Sequence, residues 1–237
     1  MSRSHLAYLR TAAAHCALRS TLVLLAIALL SGCEQTRFEA LPSGEVSDCD
    51  RDWVGAWRIE DTRERAEKDD GPVYWIVSDN CARYQTLEPD GASEDEDDYA
   101  FRYVRHGDSN FIAATAHPDA EAKDSDWHKA HMLIRYEFRG SDQIRAFDVD
   151  NQRVARLIVD GEIGGRTEVK SKPGKDAKNN LESVENLVFG PSAATDSIIR
   201  RKGVFGRKPW LVLHRASSEE IARAKARVEE RRSPEGG

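Results

Sequence analysis

The sequence of 237 residues lacks the short motifs of the common catalytic classes. It contains no G-x-S-x-G nucleophile elbow, no S-x-x-K serine motif and no H-E-x-x-H zinc motif. It has no Walker A sequence, and the run GEIGG at 161–165 neither follows a predicted strand nor opens a helix. Carboxylates are abundant, but mostly in polar loops without the apolar setting that raises a pKa for acid–base catalysis. We therefore expect a protein that is not an enzyme and that binds no cofactor.

Long apolar runs and an excess of basic residues are absent as well. The apolar run at residues 22–30 is shorter than the roughly 20 residues that a spanning helix requires, so we expect no permanent transmembrane helix. Lys and Arg number 35 against 41 Asp and Glu, which gives a formal net charge of −6. An acidic chain with scattered bases argues against nucleic-acid binding, which favours a basic patch.

The N-terminus has the organisation of a secretory signal peptide. Arg3, Arg10 and Arg19 come first, the apolar run follows, and Ser31 and Gly32 end it. A positive start, an apolar centre and a small-residue exit are typical of such a peptide. Removing residues 1–32 leaves 205 residues and changes the net charge from −6 to −9, because three arginines and no acidic residue are lost. That length permits one medium domain or two small ones.

The residues LSGC at 30–33 resemble the lipobox of bacterial lipoproteins at all four positions. The resemblance implies that the Cys33 thiol is acylated, that residues 1–32 are removed, and that acyl chains on Cys33 hold the protein in a lipid bilayer. Each buried CH₂ contributes about 0.8 kcal/mol, and two or more chains give stable attachment. Glu34 stands where the family's inner-membrane signal is typically Asp, so the likeness implies an outer-membrane protein facing the periplasm. The alternative is an ordinary secreted protein with a chance cysteine.

Four cysteines are present. Cys16 belongs to the signal peptide and Cys33 is the lipid site, which leaves Cys49 and Cys81. An even pair in an oxidising compartment predicts one disulfide, with two reduced thiols as the alternative.

The remaining chain divides into three parts. Residues 33–48 are polar and contain Pro42, Ser43 and Gly44, which predicts a lipidated cysteine and a flexible tether that reaches up to roughly 50 Å. Residues 49–216 alternate apolar and polar side chains in short runs, which predicts antiparallel strands with one buried face. Residues 217–237 predict a C-terminal helix and a frayed tail, with Ser217 and Glu220 in capping-box spacing.

We expect a β-rich α+β fold, an antiparallel sheet or partly closed barrel with two or three short helices. One helix is predicted after Asp150 as N-cap, with Gly161 just beyond its end. A second is predicted at 192–202, closed by Gly203. Residues 164–180 are basic and broken by Gly and Pro, which predicts a loop.

Gly55-Ala56-Trp57 resembles the G-x-W signature of lipocalins and related calycin barrels. The resemblance implies that an Arg near the end of the last strand packs across the Trp, and Arg215 ends the run WLVLHR. The alternative is a core Trp beside a glycine that allows close packing. The wider layout resembles envelope lipoproteins of proteobacteria, a likeness that carries no activity. If the barrel binds a ligand, its candidate lining residues are Trp53, Trp57, Trp75, Tyr99 and Phe101.

Two polar segments have ligand-type side chains. The run HPDAEAKDSDWHKAH contains His117, His128 and His131, which could supply nitrogen ligands to zinc, although a solvated loop is favoured. The acidic run SEDEDD lacks the spacing of a calcium loop. The sequence favours a non-enzymatic envelope lipoprotein that contacts an envelope protein partner. The alternatives are a calycin-like carrier of a small apolar ligand and a metal-binding periplasmic protein.

Overall fold

The computed structural model describes residues 34–61, 71–81, 84–89, 91–94, 99–116, 129–171 and 181–232. Most of its strands form one antiparallel sheet that curls into a half-barrel, and three α-helices pack on it. The predicted β-rich α+β class is therefore confirmed. Within the described ranges, no helix has the length and apolar character needed to cross a membrane.

The elements follow one another along the chain in this order. The strands are β1 (Glu34–Phe38), β2 (Glu45–Ser47), β3 (Gly55–Asp61), β4 (Tyr74–Val77), β5 (Tyr84–Glu88), β6 (Gly91–Glu94), β7 (Tyr99–His106), β8 (Ser109–Ala116), β9 (His131–Arg139), β10 (Gln143–Phe147), β11 (Gly165–Ser171), β12 (Leu181–Val188) and β13 (Leu211–Arg215). A 3₁₀ turn at Arg51–Trp53 precedes β3, and the α-helices are α1 (Asn151–Val159), α2 (Ser192–Ile199) and α3 (Ser218–Arg232).

The central strand of the sheet is β9. It pairs with β8 along one side, and with β10 and the end of β1 along the other. The half-barrel runs from β2 through β7, β8, β9, β10, β13, β3, β4 and β5 to β6. A smaller branch joins β1 to β12 in parallel and β12 to β11 in antiparallel. This fork at β9 separates a barrel-like part from a three-stranded part.

The sheet is buried on both faces near β8 and β9, so the expectation of a single buried face is wrong. The interior of the half-barrel holds an aromatic cluster that includes Tyr136 of β9. Leu133, three residues before Tyr136 in the same strand, lies in a second core with Val154 and Leu157 of α1 and Ile198 of α2. The helices that the sequence places between strands therefore cover the outer face of β8 and β9.

The predicted tether at 33–48 is also wrong over its described part. Residues 34–38 form β1, and Phe38 is fully buried in the second core. The chain after β1 is held by the Thr195 hydroxyl, which donates to the Ala40 carbonyl at 2.8 Å, and by Glu39, which accepts from the Gly190 amide at 2.8 Å. Sequence pattern missed β1 because its alternation spans only five residues and its polar side chains are themselves buried.

The basic loop expected at 164–180 is a strand over its first part. Residues 165–171 form β11, which pairs with β12 from Gly165–Val188 to Ser171–Leu181. In the described part of the sheet β11 lies at an edge, so polar and charged side chains are tolerated along it and no apolar alternation marks it. Residues 172–180 lie outside the described part of the chain.

The signals predicted for α1 and α3 are confirmed, whereas α2 begins at Ser192 as predicted but ends at Ile199, before Gly203. Asp150 caps α1 by accepting the Arg153 amide at 2.8 Å, and Gly161 follows it with φ +71°. The Ser217 amide donates to Glu220 at 2.8 Å, and the Glu220 amide donates to the Ser217 hydroxyl at 3.2 Å, which completes the capping box of α3. The helix α3 packs through Ala224 and Val228 on the outer side of β4 and β5.

Candidate functional site

Arg215 and Trp57 form the centre of the best-defined polar constellation. The guanidinium carbon of Arg215 lies 4.2 Å from the centre of the Trp57 ring. The same guanidinium donates to three backbone carbonyls: Ser141 at 2.7 Å, Val54 at 3.0 Å and Asp52 at 3.0 Å. One side chain of β13 therefore joins the turn before β10 to the 3₁₀ turn before β3. The stacking of Arg215 on Trp57 is the pairing that the G-x-W resemblance implied.

Gly55 gives the Arg215 guanidinium room to reach Trp57. Its φ is +119°, and a Cβ added there would lie 3.0 Å from Nη1 of Arg215. The Trp57 indole N–H donates to the Trp53 carbonyl at 2.7 Å and fixes the 3₁₀ turn on the end of the half-barrel. The end of the half-barrel is therefore closed jointly by Gly55, Trp57 and Arg215.

Trp53 fills the interior of the half-barrel. It ends the 3₁₀ turn before β3 and is only 1% exposed. Its ring packs against five aromatic rings with centroid distances of 5.2–6.5 Å, those of Trp57, Trp75, Tyr103, Tyr136 and Phe138. Edge-to-face and tilted contacts at these distances are favourable, so this is packed core. Trp53 and Trp57 are therefore buried by other rings rather than lining an open space.

The other candidate lining residues have different surroundings. Trp75 and Phe101 are partly buried at the rim of the aromatic cluster, where each packs on Tyr84, with centroids 5.5 Å and 4.9 Å away. Tyr99 is partly buried and lies against Arg37 of β1. Burial lowers the pKa of Arg37, and the contact with Tyr99 offsets only part of this lowering. The structure thus brings four of the five predicted residues together and places Tyr99 elsewhere.

Two links join the edges of the half-barrel. The sulfur atoms of Cys49, just after β2, and Cys81, between β4 and β5, lie 2.03 Å apart, which agrees with the predicted disulfide. The hydroxyls of Tyr84 on β5 and Tyr103 on β7 lie 3.0 Å apart. Burial raises the pKa of both tyrosines, so both remain protonated hydrogen-bonding groups at neutral pH. The curled sheet is therefore fastened across its open side.

The partly buried Asp50 and the buried Tyr136 form an acid–phenol pair. The Tyr136 hydroxyl of β9 donates to Oδ2 of Asp50 at 2.6 Å. Burial raises the pKa of Tyr136, and the Asp50 carboxylate raises it further. A phenol with a raised pKa keeps its proton, so this pair holds the 3₁₀ segment to the sheet.

A polar cluster at α2 consists of Ser43, His106 and Asp196. His106 follows Ser43 by 63 residues, and Asp196 follows His106 by 90 residues. Asp196 is 7% exposed. The Ser43 hydroxyl donates to Oδ2 of Asp196, and the Ser43 amide donates to Oδ1 at 2.8 Å. Nδ1 of His106 donates to the Ser43 carbonyl at 2.5 Å and lies 3.5 Å from Oδ1 of Asp196. Sequence reasoning missed this cluster, because no spacing connects residues from three distant elements.

The hydrogen bonds of this cluster do not form a hydrolase relay. In a catalytic triad the serine hydroxyl donates to a histidine nitrogen, and the other nitrogen donates to the carboxylate. Here the Ser43 hydroxyl donates to the carboxylate, and the His106 nitrogen near it is occupied by a carbonyl. His106 Nδ1 also lies 3.4 Å from the Ser43 hydroxyl, but a nitrogen that donates to the carbonyl does not accept the Ser43 proton. It suits a structural role, holding the loop after β1 on α2.

A second buried polar group fixes β1 in the sheet. Asn186 of β12 is fully buried. Its amide nitrogen donates to the Thr36 hydroxyl at 3.0 Å and to the Asn151 carbonyl at 2.9 Å, and its oxygen accepts from Thr167 at 2.9 Å. Each of these polar atoms of Asn186 is paired, which is what a buried amide requires. The network sets the register of β1 against β12.

The predicted metal ligands are only partly described. His117 and His128 lie outside the described residues, as does Cys33. His131 begins β9, where its Nδ1 lies 2.5 Å from the Thr115 hydroxyl. Burial lowers the pKa of His131, and the charge of Arg102 lowers it further. Across the described residues, no group of three or more His, Cys, Asp or Glu side chains is arranged to hold a metal ion.

A small recess lies between α3 and the β4–β5 side of the sheet. Leu87, Ala224 and Arg227 contribute to its lining, and its volume is about 30 Å³. That is room for about one water molecule, far below the few hundred Å³ of a small-molecule pocket. Comparison with known proteins found no matching family model, no matching curated protein and no matching solved structure.

Proposed function

We propose that this chain is a lipid-anchored envelope protein, held in the outer membrane by acyl chains on Cys33, with a non-enzymatic half-barrel domain. The domain serves as a structural or interaction module for other envelope components. The observation that carries the module role is Trp53, which is 1% exposed and surrounded by aromatic rings. A carrier needs an apolar cavity of roughly a few hundred Å³, and Trp53 occupies the centre of the half-barrel.

The organisation of the domain supports the same proposal. It is closed at one end by Arg215 and along its open side by the Cys49–Cys81 pair. A disulfide is stable in an oxidising compartment such as the periplasm. A signal peptide of the kind found at the N-terminus directs a protein to that compartment. A cross-linked half-barrel with a filled interior favours a role at its surface.

Native mass spectrometry of residues 34–237, secreted into the periplasm, tests the module role. We expect the mass of the bare chain less two hydrogens for the disulfide. An added stoichiometric mass of lipid size would instead identify a carrier, and a metal-sized addition would direct attention to His117, His128 and His131.

The anchor is tested separately with the full chain. Growth with a clickable palmitate analogue followed by membrane fractionation should give a labelled, membrane-bound protein. Cys33→Ala should abolish both the label and the membrane retention. Cys16→Ala is the matched control and should change neither. Acylation that persists in Cys33→Ala would rule out the proposed anchor.

A further inference from the structure

The outer edge of the three-stranded branch is formed by β11. It pairs with β12 on one side, and among the strands that the structure describes it pairs with none on the other. A bulge between Lys170 and Ser171 ends its regular part. An edge strand presents a row of backbone N–H and C=O groups that can pair with a strand of another chain. The regular stretch available for such pairing therefore lies within residues 165–170.

The ladder between β11 and β12 determines which backbone groups face outward. The Phe189 amide donates to the Gly164 carbonyl at 3.0 Å, and Gly165 lies opposite Val188. In an antiparallel ladder, residue pairs that exchange hydrogen bonds alternate with pairs that do not. Every second residue of β11, counted from Gly165, therefore directs its N–H and C=O away from β12. These outward-facing residues are Gly165, Thr167 and Val169.

The charged side chains of β11 are self-complementary. Arg166 and Glu168 are exposed and form an ion pair within the chain at 3.1 Å. If a second β11 pairs antiparallel with Thr167 on the two-fold axis, each Arg166 lies opposite a Glu168 of the second copy. A two-fold axis at Arg166 or at Glu168 would instead place like charges directly opposite, which is destabilising. Charge therefore favours the axis at Thr167.

The same register covers exposed apolar side chains. Val169 is 59% exposed and Val159 is 75% exposed, and these are the two most exposed large apolar residues in the described ranges. Val169 lies opposite Gly165 of the second copy, where a Cβ built on Gly165 would be 2.8 Å from the δ-carbon of Ile158. Val169 therefore packs against Ile158 of the second copy, beside Val159, and loses apolar surface to water.

We infer that the partner that fits this edge is a second copy of the chain, paired antiparallel through β11 about a two-fold axis at Thr167. The three-stranded branches of the two copies then join into one continuous sheet. Helix α1 packs mainly over β12, so the two α1 helices lie three strand spacings apart, roughly 14 Å. Packed helices lie about 8–10 Å apart, so these helices do not obstruct the pairing. The pairing is independent of Cys33, so it applies to an anchored and to a secreted chain alike.

Cysteine cross-linking of the full chain tests the register. Residues that face each other in a bonded antiparallel pair have Cα atoms about 5.5 Å apart, which suits a disulfide, so Thr167→Cys should link two copies. Val169→Cys is the matched control, because the two copies of position 169 lie four residues apart along the ladder, roughly 13 Å. After mild oxidation, a non-reducing gel should show several-fold more of the species of twice the chain mass for Thr167→Cys. The native chain gives the background from its own cysteines.

A charge exchange tests the same pairing with Thr167 intact. Arg166→Glu and Glu168→Arg each place like charges opposite, so each should weaken self-association several-fold in sedimentation of the full chain in detergent. The double variant Arg166→Glu/Glu168→Arg restores opposite charges and should recover the association of the native chain. Both side chains are exposed, so neither substitution should disturb the fold.

The outcomes decide the register and the partner. Cross-linking that is equal at the two positions, or stronger at the more exposed position 169, would indicate random collision and overturn the pairing. A double variant that stays as weak as the single ones would overturn the proposed ion pairs and the axis with them. Cross-linked species of Thr167→Cys with a mass other than twice that of the chain would assign the edge to a different protein and overturn the second copy as its partner.

Discussion

The Arg215 guanidinium lies over the Trp57 ring and donates to three carbonyls from two separate turns. A single side chain therefore stacks on the core and closes the end of the half-barrel. Because Gly55 leaves no Cβ in the way, the guanidinium approaches the strand closely. The three residues depend on one another, although 160 residues of chain separate the first from the last.

Replacing Arg215 with Ala should lower the free energy of unfolding by about 1–3 kcal/mol, because it removes the ring contact and several charge-assisted hydrogen bonds. Arg215→Lys should recover only part of this loss, since an ammonium cannot form the planar fork. Urea unfolding followed by tryptophan fluorescence measures both. Arg139→Ala is the control, because Arg139 forms an exposed pair with Glu137 and should cost under about 1 kcal/mol. Equal losses for Arg215→Ala and Arg139→Ala would contradict the closing role.

Removing the cross-link should also destabilise the domain. Cys49 and Cys81 are 32 residues apart, and a disulfide that closes a loop of this length contributes about 3–4 kcal/mol. The Cys49→Ser/Cys81→Ser variant should lose about that amount in urea unfolding. Dithiothreitol should destabilise the native chain by a similar amount and leave the double variant unchanged. A reductant effect that persists in the double variant would point to another cause.

The Ser43–Asp196 contact should make stability depend on pH. Burial alone would raise the pKa of Asp196, but the two hydrogen bonds from Ser43 and the charges of His106 and Arg200 bring it below its ordinary value. A carboxyl whose folded pKa lies below its unfolded value of about 3.9 contributes stability above that value. The contribution is lost as the pH falls through the folded pKa.

Asp196→Asn should therefore cost about 1–3 kcal/mol at neutral pH, the value of hydrogen bonds to a charged acceptor. Its stability should also fall less than that of the native chain between about pH 5 and pH 2. Urea unfolding across this range measures the difference between the two chains. Asp160→Asn, at the exposed end of α1, is the control and should follow the native profile. Parallel profiles for Asp196→Asn and the native chain would contradict the role of the ionised carboxylate.

Sequence reasoning succeeded where local chemistry determines the structure. Asp150 before α1 and the Ser217–Glu220 spacing before α3 are local signals, and each forms the bonds expected of it. These signals span fewer than ten residues, so no distant partner is needed to interpret them.

Sequence reasoning failed where a distant partner determines the structure. β11 is polar and was expected to be a loop, but pairing with β12 supplies the hydrogen bonds that make it a strand. The Ser43, His106 and Asp196 cluster had no detectable signal, since a spatial cluster from three elements leaves no spacing in the chain. The two-sided burial of β9 was missed because partly polar positions such as Arg135 are covered by stacking on Phe147.

The last prediction concerns the segment that was expected to be a tether. Phe38→Ala should cost about 3–5 kcal/mol, because Phe38 is fully buried and truncation leaves a cavity among core side chains. Val46→Ala lies in the same expected tether but is 42% exposed on β2, so it should cost well under about 1 kcal/mol. Urea unfolding of both variants gives the comparison. A free tether would make the two substitutions equally harmless, and a strand built into the core makes them differ by several-fold.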